Sequence, residues 1–211
     1  SYQPTQPPPP PSRGVRAATF KLLLDTAMDL IQQDGHIPSI AEVAVRSSVS
    51  RATAYRYFPS RSALITSVVD ASLGAVRSAP PGLQGEDARQ RVHEVFKATF
   101  PRFQQFEPQL RAALQLALEQ WALQRAGLLE EEPYRRGHRV AILAGALAPL
   151  KGQLAPAARD RLHRALSVLY GIEAYTILKD MWDVSEKEIE RTLLWMADAL
   201  IEASMREGKK T

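Results

Sequence analysis

The 211-residue chain is long enough for one medium domain or two small ones, and its 45% hydrophobic content supplies a buried core, which excludes disorder throughout. A net charge of +4 permits a polyanionic partner without demanding one, and the absence of cysteine removes disulfides, thiolate metal sites and cysteine nucleophiles together. No apolar run approaches the roughly 18 residues that span a bilayer, and no signal-peptide pattern opens the chain, so a cytoplasmic protein with no membrane partner is expected.

Residues 1–12, SYQPTQPPPPPS, read as a disordered tail, because proline withholds backbone donors and favours extended conformations that form no core. From Arg13 to Asp34 an apolar stripe of Phe20, Leu23, Leu24, Ala27, Leu30 and Ile31 predicts a helix that Gly35 stops. Ser39, with Glu42 three residues on, forms a capping box for a short second helix over 40–47. Ser50 caps a third helix over 51–58 that Pro59 ends, and Ser60 caps a fourth that runs to about Leu73. The stretch 74–86, with Pro80 and Pro81, reads as a boundary between a domain of residues 13–74 and a second of residues 75–211.

Beyond the boundary the pattern is helical throughout, so the fold class is all-α. Helices are expected over 87–100, stopped or kinked by Pro101, and over 108–127 and 133–148, both opened by proline. Two long ones close the chain, 156–182 and 186–206, the latter capped by Ser185 and Glu188. The 108–127 helix is apolar on nearly every side, with Leu110, Leu114, Leu118 and Trp121 on one face and Ala112, Leu116 and Leu123 on another. It should lie at a domain centre, where Glu119 needs an arginine or a cationic ligand. In the final pair, Leu162, Leu166, Leu169 and Ile172 form one face while Val168, Tyr175, Leu178 and Trp182 fall elsewhere, and Trp195 shares the polar side of Glu188 and Glu202. Two apolar faces point to a homodimer through Leu169, Gly171, Tyr175 and Trp195, the alternative being an ordinary core hairpin.

Between Arg13 and Thr66 seven basic residues (13, 16, 21, 46, 51, 56, 61) face four acidic ones (25, 29, 34, 42), and no acidic residue interrupts 43–69. The positive charge therefore gathers on the corner between the second and third helices, the outline of a helix-turn-helix. Gly35, the run Ser39-Ile40-Ala41-Glu42-Val43-Ala44 and the run Val49-Ser50-Arg51-Ala52-Thr53-Ala54-Tyr55-Arg56-Tyr57-Phe58-Pro59-Ser60-Arg61-Ser62-Ala63-Leu64 resemble the DNA-binding domain of the TetR family of transcriptional repressors. The chain departs from the family pattern at Ser48 and Ala52, where glycine is common, so Ser48 must accept the backbone strain of the turn.

The resemblance implies double-stranded DNA as partner, with phosphate contacts from Ser39, Thr53, Tyr55, Tyr57 and Arg61, which stands where the family usually has lysine. Base edges would be read by Arg51, Ala52 and Arg56, with the capping Ser50 on the same surface. It also implies a C-terminal helical domain that binds a small-molecule effector and dimerises. Phe96, Phe100, Glu119, Trp121 and Tyr175 are the candidate ligand contacts, although aromatics at helical spacing also serve as plain core. The other reading open to this sequence is a helical ligand-binding or protein-interaction module that no longer reads DNA. His93, His138 and His163 lack paired ligands, and there is no phosphate loop or nucleophile elbow, so neither an enzyme nor a metal or cofactor is expected.

Overall fold

The computed structural model describes residues 3–78 and 83–208. Every regular element among them is helical: α1 Gly14–Asp34, α2 Ile40–Arg46, α3 Arg51–Tyr57, α4 Arg61–Leu73, α5 Ala75–Ser78, α6 Ala88–Gln105, α7 Glu107–Ala126, α8 His138–Ala146, a 3-10 turn at Ala148–Leu150, α9 Pro156–Leu169, α10 Ile172–Trp182 and α11 Glu186–Gly208. No described helix is long and apolar enough to cross a membrane. Pro80 and Pro81, on which the expected boundary rested, lie outside the described residues.

The chain forms two compact units, Ser1–Ser72 with Phe106–Arg136, and Leu73–Gln105 with Gly137–Thr211. This differs from a linear division near residue 74, because α7 is held by the N-terminal helices. The Gln109 side-chain amide donates to the Met28 carbonyl at 3.0 Å, and Leu110, Ala112, Ala113 and Leu116 are buried. One face of α7 is enough for that packing. Leu118 and Trp121, expected inside, lie on its open side, and Trp121 is 65% exposed.

In the first unit the core is built from Phe20, Leu23, Ala27, Leu30 and Ile31 of the predicted α1 stripe, whose Leu24 is only half-buried, joined by Val43, Ala44, Ala54, Phe58, Leu64 and Val68. The tail is tied down at one point and is not free along its length. The Thr5 amide donates to the Arg135 carbonyl at 2.9 Å, and its hydroxyl accepts from the Arg135 amide at 2.8 Å. Threonine, unlike its proline neighbours, has both a backbone donor and a hydroxyl for such a pairing.

In the second unit, α6 runs on through Pro101 to Gln105, and α8 begins only after Gly137. The helix expected over 156–182 is two helices. Its break at 170–171 admits Arg139, whose Nη1 donates to the Ser167 carbonyl at 3.0 Å and whose Nη2 donates to both Glu173 oxygens at 2.9 and 2.7 Å. A Cβ at position 171 would lie 2.3 Å from Arg139 Nη1, so a side chain there would push the guanidinium out of this arrangement. The guanidinium joins a carbonyl at the end of α9 to a first-turn carboxylate of α10, which offsets the lost helical hydrogen bonds. Beside the break Tyr170 is buried, with its hydroxyl 2.7 Å from Thr99 Oγ1. Burial pushes the phenol up to about 12, so it stays neutral.

Candidate nucleic-acid interface

Two short helices form the corner, and each starts on a serine. Ser39 Oγ accepts from the Glu42 amide at 3.1 Å, and Ser50 Oγ accepts from the Thr53 amide at 3.2 Å. Such caps satisfy amides that a seven-residue helix otherwise leaves to solvent. Ser48 turns the chain between them at φ +55°, the left-handed region that favours glycine. Replacing Ser48 with glycine should therefore stabilise the protein by up to about 1 kcal/mol, because relief of left-handed strain exceeds glycine's extra chain entropy. A higher urea midpoint with unchanged slope is the expected reading; a lower midpoint would show that the serine side chain matters more than the strain.

Helix α3 presents a sorted surface. Ala54 and Phe58 turn inward, with the Phe58 ring 5.0 Å from Phe20, while Arg51, Ala52, Tyr55 and Arg56 are exposed and Thr53 and Tyr57 half-buried. Tyr57 packs edge-on to Phe20 at 6.2 Å, and the Arg56 guanidinium lies 5.4 Å over the Tyr57 ring. Arg46 and Arg51 make no salt bridge among the described residues, which leaves their charges available to a polyanion. The structure thus brings Ser39, Ser50, Arg51, Ala52, Thr53, Tyr55, Arg56 and Tyr57 onto one corner.

Arg61 differs. Its Nε lies 3.2 Å from Glu131 Oε1, and its Nη1 and Nη2 lie 3.4 and 3.0 Å from the two Glu119 oxygens. Its backbone amide donates to Glu131 Oε2 at 2.9 Å. Burial works against the Arg61 charge, but the hydrogen bonds and charges of Glu119 and Glu131 outweigh it and raise the guanidinium above its ordinary value. Glu119 does find an arginine, but on the exposed side of α7 and not inside an apolar core. Glu131 and Gln120, the other members of this cluster, carried no signal in the sequence, since 58 to 70 residues separate them from Ser62 and Arg61.

The candidate ligand contacts do not form one set. Phe96, Phe100 and Tyr175 are buried in the second unit, where Phe96 meets Phe100 at 5.7 Å, Phe100 meets Phe103 at 6.2 Å and Phe103 meets Tyr175 at 6.1 Å. Glu119 and Trp121 belong to the first unit through α7. A surface cavity of about 370 Å³ in the second unit, lined by Leu147, Lys151, Arg159, Asp160 and His163, was not legible, because the lining comes from three separate elements.

The expected dimer set also divides. Tyr175 is fully buried and donates to Glu186 at 3.2 Å, Leu169 is buried, and Gly171 is filled by Arg139, so these three serve the chain's own core. Trp195 is 69% exposed, as are Val168, Met181 and Trp182 to a similar degree.

A capped two-helix corner with an exposed arginine-bearing second helix defines a helix-turn-helix DNA-binding protein. Residues 23–68, which hold the corner and its flanking helices, match the family model of bacterial regulatory proteins, tetR family. No curated protein matches the chain.

Proposed function

We propose that the protein is a transcriptional repressor that binds a palindromic operator as a homodimer and is released by a small-molecule effector. The observation that carries this reading is α3 itself, which exposes Arg51, Ala52 and Arg56 together while its apolar side is anchored by Phe58. Arginine forms a bidentate pair with guanine in the major groove, and alanine meets a thymine methyl. Two copies would read half-sites about one helical turn, roughly 34 Å, apart. Selection from random duplexes should enrich a palindrome that outcompetes bulk DNA at physiological salt; if nothing is enriched, the protein is a helical module of another kind.

What supports the dimer is that α9, α10 and α11 of the second unit each carry large exposed apolar side chains, Val168, Met181 with Trp182, and Trp195. Trp195→Glu should turn dimers into monomers by sedimentation and lower operator affinity accordingly. An unchanged dimer would place the interface elsewhere. The effector reading requires a ligand whose affinity differs between DNA-competent and released states, and it belongs to the second unit in this proposal.

A further inference from the structure

We propose that Arg61 is a positioning residue that latches the start of α4 to Glu119 and Glu131, and not the phosphate contact that its place after the recognition helix implies. Three of its five guanidinium donors are committed to carboxylate oxygens, and its backbone amide, at the first position of α4, is held by Glu131 as well. Two carboxylates against one guanidinium leave the cluster one negative charge in excess, which opposes an approaching phosphate. The latch is itself braced. Buried Gln120 donates to Glu131 Oε1 at 3.0 Å and to Ser62 Oγ at 2.8 Å, and it accepts from the Tyr134 amide at 2.6 Å. A carboxylate fixed by a buried amide has one arrangement to offer the arginine, and only a planar fork matches two carboxylates at once.

Helix α3 ends at Tyr57 and α4 begins at Arg61, so holding the first turn of α4 also sets where the C-terminal end of α3 lies. This consequence for DNA rests on the reading of α3 as a recognition helix; the latch itself does not. Lysine separates the two roles, since it keeps a point charge for phosphate but cannot reproduce the fork.

The test uses the full chain with Arg61→Lys, Arg61→Met, Glu119→Gln and the Arg61→Met/Glu119→Gln double variant. In urea, both Arg61 variants should lower the unfolding midpoint alike, and Glu119→Gln should lower it by much less in the Arg61→Met background than in the wild type. Additive shifts would overturn the latch, and if Arg61→Met folds poorly the same cycle run with Arg61→Lys and Arg61→Lys/Glu119→Gln decides it. In DNA titrations by fluorescence anisotropy, the slope of log affinity against log salt should be the same for wild type and Arg61→Met, and Arg61→Lys should bind as weakly as Arg61→Met. A slope smaller by about 0.9 in Arg61→Met, restored by lysine, would make Arg61 a phosphate contact and overturn the proposal. If the wild type binds no DNA at any salt, the DNA reading fails while the urea cycle still decides the latch.

Discussion

Phe58→Ala should lower the unfolding free energy by about 3–5 kcal/mol, the range for truncating a fully buried aromatic side chain. Phe58 is 1% exposed and its ring packs 5.0 Å from that of Phe20, so its removal opens a cavity where α1 supports the end of α3. Ala54 is the only other side chain of this segment that is buried, and it is too small to compensate. Urea unfolding should show a much lower midpoint at an unchanged slope. Operator affinity should fall with it, since α3 would lose its inner anchor. A stability loss below about 1 kcal/mol, the usual worth of one helix cap, would mean that the Ser50 cap and the turn hold α3 without the ring.

Arg51→Ala should weaken binding to the preferred duplex by about 1–3 kcal/mol, roughly 5- to 150-fold, while binding to random duplex changes far less. Arg51 stands in the first turn of α3, is exposed and has no ionic partner among the described residues, so its guanidinium is free to fork onto a guanine edge. The substitution should also leave stability nearly unchanged, as it touches an exposed position outside the Ser50 cap bond. Competition between preferred and scrambled duplexes at fixed salt is the measurement. Equal losses on both would assign Arg51 to the phosphate backbone and leave base reading to Arg56 and Ala52.

Most of the recognition corner was legible in the sequence because its determinants are local. A cap, a left-handed turn and an apolar stripe each involve residues within a few positions of one another, and Ser39, Ser50, Ser48 and Phe58 behave as that local chemistry requires. The ionic partners of Arg61 were not legible, for the opposite reason. A basic residue in a stretch free of acids from 43 to 69 reads as open to phosphate, but Glu119 and Glu131 reach it from far along the chain. The burial of the expected ligand and dimer residues was hidden in the same way. Helical spacing says that a residue shares a face with its neighbours without saying which face the rest of the chain covers, and so Trp121 lies outside while Tyr175 lies inside.

The amino-acid sequence by itself determined the all-helical class, the serine caps of α2 and α3, the helix-turn-helix and the exposed basic side of α3, because each depends on backbone chemistry and periodicity over a turn or two. Only the tertiary structure decided that α7 belongs with the N-terminal helices, that Gly171 makes room for Arg139, and that Arg61 is held by two glutamates. Those outcomes depend on which surfaces meet across tens of residues, and burial and charge pairing between distant segments leave no periodic trace in a single sequence.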